Sequence, residues 1–286
     1  MPTITLAHSP DSDDAFMFYA LAARKVQTGN RVYQHELSDI ETLNRRALQG
    51  DLDVTAVSIH AYAYLTDTYF LLPHGSSMGE RYGPRLVASA LPPKDVRSVV
   101  GEMRIAVPGT LTTAALVLRL FQPSCTTLVM PFDRIEAAVA SGEADAGLLI
   151  HEGQLTYGDM GLHLWQDMGE WWFAETGLPL PLGGNVIRKD LGEELIRLVS
   201  RDLRASIVYG LEHREQALEH ALQYARGLDP AKADQFVGMY VNNYTVDYGD
   251  RGRRAVAVLL QRAAAANIVP KTVEATFVDD GKVPRM

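Results

Sequence analysis

Short apolar runs alternate with amphipathic stretches along this chain, and one such unit occurs twice. Leu43, Ala47, Gly50, Asp53 and Val57 recur, each shifted by the same offset, as Ile135, Val139, Gly142, Asp145 and Leu149. Each copy reads as an amphipathic helix, a glycine ending it in a left-handed turn, an aspartate, and then a buried strand. Ser38 with Glu41, and Asp133 with Glu136, have the spacing of capping boxes at the two helix starts. The second strand, Ala146 to Ile150, is too short for a helix and runs into His151 as a polar tip. His151 falls opposite Ile59 in the repeat, so two equivalent strand ends are expected to face one cleft.

The remaining pattern extends this unit. Ile4 to Ala7 reads as a first strand, followed by the polar loop His8 to Asp14 and a helix over Ala15 to Ala23. Ala61 to Tyr69 reads as helical, Pro73 to Pro84 as a Gly-rich loop, and Arg85 to Ala90 as a strand. Pro92-Pro93 marks a first crossover, and Met103 to Val107 opens a second lobe. Thr110 is placed to cap the helix after it. The proline-bounded stretch Thr176 to Asn185 cannot be helix and reads as the return crossover. From Leu191 the chain is helical in segments, 191–212, 214–226, 231–241 and 252–266, punctuated by Gly227 and Gly249. Duplication, two crossovers and a helical tail predict an α/β, two-lobed fold of the periplasmic-binding-protein type 2 kind, with a ligand cleft between lobes. Lobe one is expected over 1–95 and 192–286, lobe two over 96–191.

Composition narrows the function. The 286 residues suffice for two modest lobes with separate cores, or for one larger domain. A net charge of -8, with no Lys/Arg block, argues against a nucleic-acid surface and leaves small molecules as the expected partners. No apolar stretch reaches membrane-spanning length. The amino terminus shows no basic region followed by an apolar signal segment, so a cytoplasmic location is expected. Cys125 is the single cysteine, which excludes an internal disulfide, and the histidines are scattered. No metal and no cofactor is expected, and oligomeric state is left open.

Candidate chemistry sits at strand ends, where ligands bind in open α/β sheets. His151 is the candidate general base, since a histidine ordinarily titrates near pH ~6.5. A structural histidine is the alternative. Glu152 is not expected to assist it, because successive strand side chains point to opposite faces. Ser9 and Asp14, in the first loop, are candidate ligand contacts. Thr112, Thr113 and Ala114 follow the second lobe's first strand, where helix-start N–H groups suit a carboxylate. Trp171-Trp172 either walls a ring-shaped ligand or packs the lobe.

Several stretches carry a family resemblance over nearly the whole chain. They are Ser9-Pro10 with Asp14-x-Phe16, Glu41 to Arg45, Val107-Pro108-Gly109 with Thr112-Thr113-Ala114, Ile150-His151-Glu152, and Thr176 to Gly183. The last two are the most specific. The sequence resembles the 1,4-dihydroxy-6-naphthoate synthase family. The resemblance implies a cofactor-free lyase that converts cyclic dehypoxanthine futalosine to 1,4-dihydroxy-6-naphthoate in menaquinone biosynthesis. It implies that His151 accepts the proton, and that Ala56, Val57 and Ser58 line the substrate site opposite Thr112 to Ala114. Asp11, Ser12, Asp13, Ala15, His60 and Asn185 depart from the family's pattern. Rival readings are chorismate dehydratase of the same pathway and a non-catalytic small-molecule binding protein.

Overall fold

A computed structural model of the chain describes residues 3–224 and 229–278. It contains two sheets. The first has the order β2-β1-β3-β11-β4, formed by Val32–Leu37, Thr3–His8, Val54–Ser58, Leu180–Arg188 and Tyr69–Leu71, with β5 (Ser77–Gly79) paired to β11. The second has the order β10-β6-β9-β7-β8, formed by His163–Asp167, Arg85–Ala88, Ala146–Leu149, Arg104–Val107 and Thr126–Val129. In both sheets a three-strand parallel unit is joined by an antiparallel strand: β11 beside β3, and β6 beside β9.

The repeat read from the sequence is this parallel unit. Gly50 and Gly142 end their helices, Ile40–Gln49 and Ile135–Ser141, at φ +70° and +78°, where a side chain would strain the backbone. Asp53 and Asp145 have equivalent jobs. Each carboxylate accepts a backbone N–H at the start of the neighbouring strand, from Thr5 at 3.0 Å and from Arg104 at 2.8 Å. Gly147 is required for close approach, since a Cβ there would lie 2.5 Å from Ile135 Cγ2.

Several local expectations are corrected. The first repeat helix starts at Ile40, so Asp39 rather than Ser38 is its cap, accepting the Thr42 N–H at 3.0 Å. The Asp133–Glu136 box does not form, because a 3-10 turn over Phe132–Arg134 precedes the helix. Helix over 61–69 shrinks to Ile59–Tyr62, and buried Tyr69, Phe70 and Leu71 join the first sheet. β-favouring aromatic side chains with a partner strand outweigh the weak local helix pattern. The Gly-rich loop holds β5, and the return crossover is strand β11. The helix after β1 begins at Ser12, not Ala15. Because β6 lies in the second sheet, the first change of sheet falls between Gly79 and Arg85, ahead of Pro92-Pro93.

The tail helices Glu193–Glu212, Arg214–Leu222 and Pro230–Tyr240 pack on the Ser12–Ala22 helix of the first sheet. The expected stop at Gly227, with Arg226, lies outside the described residues. Each sheet keeps an apolar cluster of its own, one around Leu6, Phe16 and Ile207 and one around Val87, Ala106 and Ile135, and a third cluster bridges the two. The bridging cluster contains Val57 and Leu71 of the first sheet together with Ile105, Val107 and Leu148 of the second. The helix Gly249–Ala265 joins them through Val256, Leu259 and Leu260, all fully buried. Among the described residues no helix is long and apolar enough to cross a membrane.

Candidate active site

Residues from both sheets surround a cavity of about 750 Å³, counting its open mouth. His151, Ser9, Ala56, Val57, Ser58, Thr112, Thr113 and Ala114 all line it, as do Asp11, Asp13 and Asp14. The strand ends therefore converge as the repeat predicted. Contributors that sequence reading did not assign to the site include Gln154, Asn185 on β11, and Phe236 and Tyr240 from the tail.

His151 stands two residues past β9. Its Nδ1 lies 2.7 Å from Asp11 Oδ2, an oxygen that also accepts the Ser9 hydroxyl at 2.8 Å. The Phe132 ring packs on the imidazole at a centroid distance of 4.0 Å. Nε2 is buried and has no hydrogen-bond partner among the described residues. Glu152 stays on the same side, contrary to expectation, because β9 ends at Leu149 and strand alternation no longer applies. It accepts the Ser12 hydroxyl at 3.0 Å.

Asp11, His151 and Glu152 are the one group of three potential metal ligands within reach of one another among the described residues. The 2.7 Å separation is that of a charge-assisted hydrogen bond, and Glu152 is already engaged by Ser12.

Burial also disturbs the first loop's carboxyls. Asp14 is pushed up to about 7, mainly by desolvation, although the Ser9 N–H it accepts at 2.8 Å opposes the rise. Asp13 is raised well above the ordinary carboxylate range by burial and then by the Asp14 charge. Near neutrality the loop thus carries less negative charge than its three aspartates suggest. His8 goes the other way, lowered to about 3 by burial and by the neighbouring His35, and stays neutral.

On the opposite wall, Thr112 rather than Thr110 caps the helix Thr113–Phe121, its hydroxyl accepting the Ala115 N–H at 3.2 Å. The Thr113 hydroxyl donates to the Leu182 carbonyl at 2.6 Å. Both side chains are thus committed internally. The helix's first N–H groups, at Thr113 and Ala114, have no intrahelical partner by construction. Ser58 is held by Asn44, whose Nδ2 donates to the serine hydroxyl at 3.1 Å and whose Oδ1 accepts the serine N–H at 2.8 Å. No lysine or arginine is among the residues lining the cavity. An anionic group there would be met by neutral dipoles. Trp172 is fully buried and Trp171 packs on Phe121, and neither lines the cavity. His60 is buried against the Thr112 carbonyl at 3.2 Å and is structural.

A family model described as menaquinone biosynthesis matches residues 4–265. The chain is 40% identical over 278 residues to the 1,4-dihydroxy-6-naphthoate synthase of Thermus thermophilus, covering 97% of this chain and 100% of that one. It is similar to the crystal structure of protein AF1704 from Archaeoglobus fulgidus, with a TM-score of 0.89 and 45% identity, covering 93% and 98% of the two chains. The alkanesulfonate-binding protein SsuA from Xanthomonas axonopodis pv. citri matches at TM-score 0.69 and 14% identity, covering 96% of each chain. That likeness shows the periplasmic-binding-protein fold alone. With the family model spanning most of its length and a full-length relative at this identity, the chain belongs to the menaquinone biosynthesis family.

Proposed function

We propose that this protein is a lyase that converts cyclic dehypoxanthine futalosine to 1,4-dihydroxy-6-naphthoate, with His151 as the general base. The observation that carries the reading is His151 Nε2, buried at the cavity with no partner among the described residues, in a chain of this family. A neutral imidazole so held can take a proton from a bound carbon acid. Proton removal starts expulsion of the sugar-derived fragment, and aromatisation of the remaining ring drives the step forward.

The substrate carboxylate would lie against the Thr113 and Ala114 N–H groups and Ser58, with Ala56 and Val57 forming the apolar wall. Ser9 contributes at the far side. Orientation and exclusion of water between the two sheets supply acceleration beyond that of the base itself. The chemistry needs no cofactor, and a cytoplasmic setting goes with a biosynthetic role.

Incubating the purified protein with cyclic dehypoxanthine futalosine tests this. Formation of the naphthoate, followed by mass and absorbance, is expected. Replacing His151 by Ala should lower turnover by about 10²- to 10⁴-fold, the usual contribution of a positioned base. Binding without turnover would instead favour a receptor, and dehydration of chorismate would favour the dehydratase.

A further inference from the structure

Two consecutive residues after β1, the last of the loop and the first of the helix that follows, meet two consecutive residues after β9. Asp11 pairs with His151 at 2.7 Å, and Ser12 donates to Glu152 at 3.0 Å. The first pair follows a strand of the first sheet and its partners a strand of the second, so the contacts join the two sheets at the side of the cavity as a ladder of two rungs. We propose that Asp11 is a positioning residue for His151, and that the meeting of these two segments assembles the base. The proposal rests on the reading of His151 given above.

The chemistry follows from proton inventory. A neutral imidazole has one N–H, and a carboxylate can only accept. Asp11 therefore draws the proton to Nδ1 and leaves the lone pair on Nε2, the nitrogen without a partner. In water the other tautomer, with the proton on Nε2, would be free to form, and its Nε2 could not act as a base. The carboxylate is itself fixed. Its Oδ2 accepts the Ser9 hydroxyl, and the Ser9 Oγ accepts the Asp11 N–H at 3.1 Å, closing a tight turn. Phe132 holds the ring plane from the other side. The aspartate also stabilises the imidazolium formed on proton uptake. Other charged groups face the ring too, namely Asp14 from the helix after the loop and Glu152 next along the chain.

The tautomer can be read by ¹⁵N NMR of histidine-labelled protein at alkaline pH, with His151→Gln identifying the resonance. The wild type should show the proton on Nδ1, and Asp11→Ala should move it largely to Nε2. Turnover of Asp11→Ala should fall by at least about 10-fold, toward the ~10⁴-fold loss that follows neutralising a carboxylate behind a histidine base. KM should change less than kcat, because the carboxylate acts on the substrate through His151, with Ser9 the one substrate contact it also holds. Asp11→Glu should recover part of the loss. Asp11→Asn keeps the shape and drops the charge, so the acid limb of its kcat profile should move to lower pH. Asp14→Asn, run alongside, separates that neighbour's titration. Far-UV circular dichroism and Tm establish that each variant is folded, and Asp11→Asn carries the test if Asp11→Ala is not. A wild-type proton on Nε2, an unchanged tautomer in Asp11→Ala, or full turnover without the carboxylate would each overturn the proposal. Absence of turnover in the wild type would instead overturn the lyase reading, while the tautomer still reports the pairing without substrate.

Discussion

At the scale of single residues, the cavity gathers groups whose protonation is set by burial. Asp14 illustrates the sign. Its carboxyl is pushed up to about 7 in the fold, whereas in the unfolded chain it ionises near the ordinary ~3.9. The fold thus favours the protonated acid. That contribution to stability is complete below the unfolded value and is lost as pH rises through about 7. Asp14→Asn keeps an acceptor for the Ser9 N–H and cannot ionise. Its Tm should therefore gain on the wild type as pH rises from about 4 to about 8, and a Tm difference that is flat with pH would contradict the assignment. His8 acts in the opposite direction in both proteins and cancels from this difference. The residue scale is also where sequence reading stopped short. His151 was legible from its strand-end position, but its partner Asp11 was not, since the two lie 140 residues apart and no spacing rule connects them.

Elements translate these residues into directions. The helix Thr113–Phe121 aims its first N–H groups at the cavity because Thr112 caps it and Thr113 is tied to β11 through Leu182. Removing the cap hydroxyl in Thr112→Ala should cost about 0.5–2 kcal/mol, measurable by urea unfolding. The same change should raise KM more than it lowers kcat, because the frayed turn loses ground-state contacts. The sequence located this helix and its loop, yet placed the cap on Thr110. Local spacing admits both threonines. The choice falls to Thr112 because its hydroxyl can both donate to the Gly109 carbonyl at 3.0 Å and accept the Ala115 N–H. Likewise Tyr69, read as the end of a helix over Ala61 to Tyr69, became the first residue of a strand once β11 offered an edge.

For the whole molecule, the shared core has a consequence for cooperativity. The three tryptophans, Trp165, Trp171 and Trp172, lie in β10 and the helix beside it, on the second sheet's side. The long tail helices lie mostly against the first sheet's Ser12–Ala22 helix. Tryptophan fluorescence and far-UV circular dichroism thus report opposite parts of the protein. They should give coincident unfolding transitions, because Leu259 and its neighbours belong to both halves. Leu259→Ala should lower stability by about 2–5 kcal/mol and shift both signals together. Two separated transitions would mean that the halves are independent.

What the sequence determined by itself is local and periodic. Apolar spacing and the left-handed glycines Gly50 and Gly142 set the duplicated strand–helix unit, since each depends on neighbours within a few residues, while the paired aspartates Asp53 and Asp145 mark its second half and find their N–H partners only on the neighbouring strand. That unit set His151 opposite Ser58 to His60 at equivalent strand ends, whereas Thr112 to Ala114 were read from the loop after the second lobe's first strand and Ala56 to Ser58 as lining residues from the family resemblance. Only the tertiary structure decided what faced them. Gln154 receives the Tyr240 hydroxyl at 2.8 Å, Asn185 reaches the cavity from β11, and β6 joins the second sheet ahead of the prolines. The apolar cluster that bridges the two sheets is of the same kind. Such choices depend on which surfaces meet after the chain has closed loops of more than 80 residues, and the free energy of that meeting is not written in local spacing.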